Sequence, residues 1–148
     1  DWKMEGRVRY VGITHYHAGA HENLVRVMQQ EPLDFVQVNY SLLEPEAQNR
    51  LLPLAQEKGI AIIANRPFAR GQLFRITKGK PLPAWAAELG MDSWAQYFLK
   101  FVVSHPAVTV AIPGTSKARH MLDNQQAGTG ILPDAPLRER MFRYMQSL

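Results

Sequence analysis

Apolar residues along this chain fall into two alternating rhythms: short β-rich runs, and longer stretches in which they recur every three or four positions. The first run, Arg7–Ile13, carries Val8, Tyr10, Val11 and Ile13 and reads as a strand closed by the turn residues THYHAG (14–19). Leu24, Val25, Val27 and Met28 predict a helix over His21–Gln30, which Pro32 stops. Asp34–Tyr40 is the second strand. Glu46–Lys58 reads as helix, with Leu51, Leu52, Leu54 and Ala55 on one stripe, Pro53 at a kink or start, and Gly59 as the stop. IAIIA (60–64) has no polar alternation and reads as a strand buried on both faces. Residues 66–83 have loop composition over a length unusual for a plain connector. Ser93 with Gln96 forms a capping box ahead of Trp94, Phe98, Leu99, Val102 and Val103, a helix face that ends before Pro106. VTVAI (108–112) is the fourth strand, Lys117–Gln126 the fourth helix, and Pro136–Leu148 a terminal amphipathic helix. Strictly alternating strands and helices argue for a parallel sheet with right-handed crossovers.

Composition narrows this picture. The chain has 148 residues, enough for one domain with a sizeable core, and no linker divides it. An eight-stranded β/α barrel takes about 250 residues, so four units make either a smaller α/β domain or half of a barrel. The net charge of +4 comes from 17 basic and 13 acidic residues scattered without a like-charge run, which argues against nucleic acid and for a small phosphorylated ligand. The absence of cysteine excludes disulfides, thiolate zinc sites and cysteine nucleophiles. No stretch is long and apolar enough for a spanning helix, and a cytoplasmic protein fits. The start, DWKMEGRVRY, lacks an initiator Met and an apolar leader region, and reads as a cut end.

Candidate chemistry gathers where parallel strands end, because all their carboxyl termini open on one face. RPFARG (66–71) and IPGTSKAR (112–119) are Pro, Gly and basic-residue loops after the third and fourth strands. Gly71 and Gly114 permit close backbone approach, while Arg66, Arg70, Lys117 and Arg119 offer charge and forked donors. The N-terminus of the following helix adds positive potential. Phosphate binding is the functional reading, and ordinary solvated loops are the competing one. His15, His17 and His21 suggest a metal by spacing, but the first two are expected to point apart and no carboxylate lies between them. His105 reads as a helix-end histidine favoured by the dipole. Trp94 and Phe98 could form a cofactor box but more simply pack a core. No serine lies in a nucleophile motif.

In order, GITHY (12–16), DFVQVNYSLL (34–43), LLPLAQEKGIAIIANRPFARGQL (51–73) and AVTVAIPGTSKARHMLDNQQA (107–127) resemble the second half of an aldo-keto reductase. The resemblance implies one α/β unit over residues 1–148: strands five to eight of a TIM barrel, with 128–148 as a C-terminal tail and helix. Where the family's fifth-strand loop reads Gly-Val-Ser-Asn-Phe and its Ser and Asn hold the nicotinamide carboxamide, this chain has Thr14 and His15. The matching strand-six Gln is Gln37. The family's Tyr-Ser-Pro-Leu, with its ring stacked on the nicotinamide and its backbone cradling the pyrophosphate, is here Asn65, Arg66, Pro67 and Phe68. Stacking is thereby lost, while Phe68, Ala69, Arg70 and Gly71 keep a cradle. Gly114, Thr115, Ser116, Lys117, His120, Asp123 and Asn124 fall on positions that bind the adenosine 2′-phosphate and adenine. Gly114 and His120 replace Lys and Arg of other members, which leaves the 2′-phosphate to Ser116, Lys117, Arg119 and a protonated His120 and favours NADP over NAD.

The family's catalytic Asp, Tyr, Lys and His belong to the first four strands, and none has a counterpart here. The resemblance therefore implies the cofactor-binding half of an NADP-dependent carbonyl reductase, inactive alone and binding the dinucleotide weakly. It also implies a partner, either the preceding half-barrel or a second copy, because two unpaired strand edges favour association. The competing class is a noncatalytic half-barrel module that binds a nucleotide or a protein.

Overall fold

The computed structural model describes all 148 residues. Four strands, β1 (Gly12–Thr14), β2 (Phe35–Asn39), β3 (Ala61–Asn65) and β4 (Val108–Ala111), form one parallel sheet in sequence order. The helices are α1 (His21–Gln30), α2 (Leu51–Lys58), α3 (Gln72–Ile76), α4 (Trp94–Val103), α5 (Ala118–Gln126) and α6 (Ala135–Gln146).

β1 is shorter than its apolar run predicts. Its ladder starts at Gly12 opposite Phe35, and Pro32 just upstream of β2 leaves Arg7–Arg9 without a partner strand. Residues 1–11 turn instead, held by an ion pair from Lys3 to Asp34 at 2.7 Å and by Val11 N–H donating to the same carboxylate at 2.8 Å. The Lys3 hydrogen bond, more than any other influence, holds the Asp34 carboxyl below its usual range. Gly12 is obligatory, since a Cβ there would lie 2.5 Å from Phe35 O. Between β3 and β4 the register slips at Ile62/Ile63, and the Thr109 hydroxyl accepts from Ile62 N at 3.1 Å to fill the gap.

The two sheet faces differ. Val36, Val38, Tyr40, Ile62 and Ala64 are buried beneath the helices. Alternate residues Phe35, Gln37, Ala61 and Ile63 are only partly buried. The expectation that IAIIA is covered on both sides is thus corrected: no second layer lies on the concave face. Each fully buried aliphatic side chain of the covered face contributes roughly 1.5–3 kcal/mol relative to exposure, so the core lies entirely between sheet and helices.

α4 is the central helix, with eight of its ten residues buried. Ser93 Oγ caps it by accepting from Gln96 N at 3.1 Å. The reciprocal half of the capping box is missing, because Gln96 Oε1 accepts from Asp92 N and its amide donates to Asp123. Trp94 stacks on Phe98 at 5.6 Å, as core packing requires. Glu46–Lys58 divides into a 3-10 turn (Glu46–Asn49) and α2, with Pro53 in the first turn of α2 where its missing N–H costs nothing. The predicted loop 66–83 contains α3, because Gln72–Ile76 can bury Leu73 completely.

Lys100 is fully buried, and its ammonium donates to Thr129 O (2.6 Å) and Ile131 O (3.0 Å), which fixes the tail after α5. Desolvation holds its pKa below the ordinary lysine value. α6 starts at Asp134, whose carboxylate caps Leu137 N, and inserts Arg138 beside Phe101 and the Tyr40 hydroxyl. His105 lines the same cleft as this guanidinium. Burial first, and Arg138 second, depress its pKa to about 4. His105 does follow the end of α4, where these two influences outweigh the helix dipole. No helix is long and apolar enough to cross a membrane.

Candidate functional site

The carboxyl ends of the four strands carry the rim. Thr14 ends β1 opposite Gln37, and His15 N donates to Gln37 O at 2.9 Å, so these residues sit side by side. His15 and His17 do not point apart: their rings meet edge to face at 4.3 Å, because the turn after β1 is tight. His21 turns away and bonds Asn39 Oδ1 at 3.0 Å, while the Asn39 amide donates to Glu44. These three histidines therefore do not converge on one point, and no group of three His, Asp or Glu side chains is arranged to hold a metal ion.

Successive residues bridge the loops after β3 and β1. Asn65 Nδ2 donates to His15 O at 2.9 Å. Arg66 then donates to Tyr16 O at 2.7 Å and lays its guanidinium 4.1 Å above the Tyr16 ring. The backbone is unusual here, since Arg66, Ala69 and Arg70 have φ of 52°, 46° and 55°, followed by Gly71 at 81°. Three non-glycine left-handed residues within five positions cost of order 1–3 kcal/mol each, a concentration of strain characteristic of ligand-holding loops.

Two adjoining clefts bring the basic loops together. One, of about 410 Å³, is lined by Arg66, Pro67, Phe68, Arg70 and Gly71 on one side and Pro113 and Gly114 on the other. The second, of about 340 Å³, shares Phe68, Phe74 and Gly114 and continues past Thr115 to His120, Asp123 and Asn124. Asn124 is 7% exposed as a residue and lines this second cleft. Ser116, Lys117 and Arg119 are exposed around the start of α5, outside both clefts. Thr115 Oγ1 accepts from Lys117 N at 3.2 Å and shapes that turn.

Asp123 lines the second cleft and is also engaged within the chain. Its carboxylate accepts two contacts from Ser93 Oγ and one from the Gln96 amide, which ties it to the start of α4. Sequence reasoning missed Phe74 and Ser93 as lining residues, and Trp94, which it set chiefly in the core, also lines this cleft. The signal for Phe74 was α3 itself, concealed in a segment of loop composition. Tyr16 was also missed as the support for Arg66.

A parallel β/α sheet of four strands, with the loops after β3 and β4 meeting over a divided cleft at the strand ends, has the architecture of half a TIM-type barrel. The chain belongs to the aldo/keto reductase family, whose model matches residues 1–139. It is 31% identical over 125 residues to an uncharacterized oxidoreductase of Schizosaccharomyces pombe, covering 84% of this chain and 39% of that protein. Over 73 residues, 49% of this chain and 22% of the relative, it is 32% identical to an NADH-specific methylglyoxal reductase of Escherichia coli. An aldo-keto reductase from Klebsiella pneumoniae solved with NADPH superposes with a TM-score of 0.75 at 22% identity, over 97% of this chain and 50% of that structure. The chain thus spans half or less of the length of these proteins, and the structural likeness is to half of a barrel.

Proposed function

We propose that this chain is the cofactor-holding half of an NADP-dependent carbonyl reductase whose barrel is closed by a complementary half. The observation that carries this reading is the divided cleft: a strained loop bearing Arg66 and Arg70 on one wall, and the side-chain amide of Asn124 in the other. Such an amide has the donors and acceptor to pair with an adenine edge. Phe68, Ala69, Arg70 and Gly71 would cradle the pyrophosphate, and Thr14, His15 and Gln37 would take the carboxamide.

Ser116 and Lys117, with Arg119 and His120, would receive the 2′-phosphate at the amino end of α5. Asp123, the carboxylate that lines this cleft, is turned toward Ser93 and Gln96, whereas the usual acidic device for NAD pairs with a ribose hydroxyl. This supports NADP, although one relative is named NADH-specific. The bound cofactor would supply a hydride to a carbonyl carbon. The proton for the oxygen would come from a residue of the complementary half. The chain alone would then bind nucleotide weakly and reduce nothing.

Titration of the closed barrel by tryptophan quenching tests the assignment. Lys117→Glu is expected to weaken NADPH at least tenfold, about 1.4 kcal/mol, while leaving NADH nearly unchanged. Equal NADPH affinity in both forms would remove the 2′-phosphate role.

A further inference from the structure

A third cleft, of about 530 Å³, lies where the end of α4, the start of α6 and the 3-10 turn Glu46–Asn49 meet, and it shares no lining residue with the two rim clefts. Arg138, 8% exposed, lines it. Its Nη1 donates to Phe101 O at 2.6 Å and to Ser104 Oγ at 3.3 Å, and its Nη2 donates to the Tyr40 hydroxyl. All three acceptors are neutral. The ion pairs of the chain are Lys3–Asp34, Arg7–Glu5 and Arg143–Glu139, so this buried cation has no carboxylate within pairing distance. Neutral acceptors repay only part of the cost of desolvating a charge, and buried charges are ordinarily paired. Asn65 Oδ1 is the one buried side-chain polar atom left without a partner, so Arg138 Nε, which makes none of these bonds, meets the solvent of the cleft. His105 lines the same cleft, and its Nδ1 accepts from Ala107 N at 3.2 Å, which puts the proton of the neutral ring on Nε2 as a second donor.

We infer that this cleft is a binding site for a small monocarboxylate, whose oxygens accept from Arg138 Nε and His105 Nε2. A guanidinium is the side chain best matched to a planar carboxylate. The acids of the cleft do not take the place of this guest, because Asp134 caps Leu137 N at 2.9 Å and Glu139 pairs with Arg143 at 2.7 Å. They do select its charge: two carboxylates on the same cleft oppose a dianion such as phosphate more than a monoanion. Binding is also linked to protonation. The Arg138 charge helps keep the His105 ring neutral, so an anion seated beside it raises the His105 pKa. Tyr40, Asp134 and Glu139 are the other titratable groups facing that ring and its cleft.

Acetate is the probe. It is titrated into the nitrogen-15-labelled chain near pH 6.5 while the Arg138 Nε–H and His105 ring signals are followed, with chloride and phosphate at matched ionic strength in parallel. Saturable shifts of both signals are expected with acetate and not with chloride, with phosphate weaker than acetate and the His105 pKa moved upward from about 4 at saturation. Arg138→Lys keeps the charge and loses Nε, and should weaken acetate about tenfold. A flat acetate titration, tighter binding of phosphate, or an undiminished response in Arg138→Lys overturns the site. Should Arg138→Lys fail to fold, Glu139→Gln, at an exposed position, removes one opposing charge and must tighten acetate about twofold; unchanged affinity there overturns the site equally. Each outcome is independent of the dinucleotide reading.

Discussion

His105 shows how one side chain's surroundings set a pH dependence. The ring is half-buried beside Arg138 at a polar cleft that also holds Asp134 and Glu139, and its folded pKa of about 4 lies below the ordinary 6.5. Protonation therefore favours the unfolded chain, which binds the proton first as pH falls. Stability contributed by the neutral ring is fully present above about pH 6.5 and is lost as pH drops through about 4. Urea midpoints are expected to fall between pH 7 and pH 4.5, and His105→Gln to flatten that decline. An unchanged slope in the variant would assign the effect to other groups. This environment was illegible in the sequence because Arg138, the second cause of the shift, lies 33 residues away on α6. The place of loop 66–71 at a strand end was legible, because an apolar run closed by Pro and Gly marks a boundary without knowledge of the neighbours.

Among the elements, α4 and β1 mark the two extremes of legibility. α4 could be read to within a residue because its Ser93 cap, apolar stripe and Pro106 stop all agree, so local signals and tertiary packing coincide. β1 could not, since a strand's limits depend on the length of its partner, and the Val8–Val11 run has none. Ser93→Ala should cost about 1–2 kcal/mol through loss of the cap, and should leave Asp123 held by the Gln96 amide alone. Chemical denaturation measures the first effect. For β1, Gly12→Ala forces a methyl against Phe35 O and is expected to weaken the β1–β2 pair, read as faster amide exchange at Ile13 and His15 with less change in β3.

The molecule as a whole has one finished surface and one unfinished one. Helices cover the convex side of the sheet, while β1 and β4 present open edges and Val110 and Ile112 remain about 44% and 45% exposed. Unpaired edges of a parallel sheet favour recruitment of another strand. In dilute solution the chain is expected to occur as a dimer or with a complementary half-barrel, and native mass spectrometry showing only a 16.8 kDa monomer would contradict this. The half-barrel architecture was legible because strand and helix rhythms alternate without interruption. The one-sided core was not, since a run such as IAIIA has the same composition whether its second face meets a barrel interior or nothing.

The buried ammonium of Lys100 also serves as a built-in reporter. Acylating reagents should modify Lys58, Lys78 and Lys117 readily in the native chain, whereas Lys100 stays shielded as long as the peptide carbonyls of Thr129 and Ile131 remain seated on it. Labelling at that site would therefore time the detachment of the C-terminal segment, separately from the collapse of the sheet.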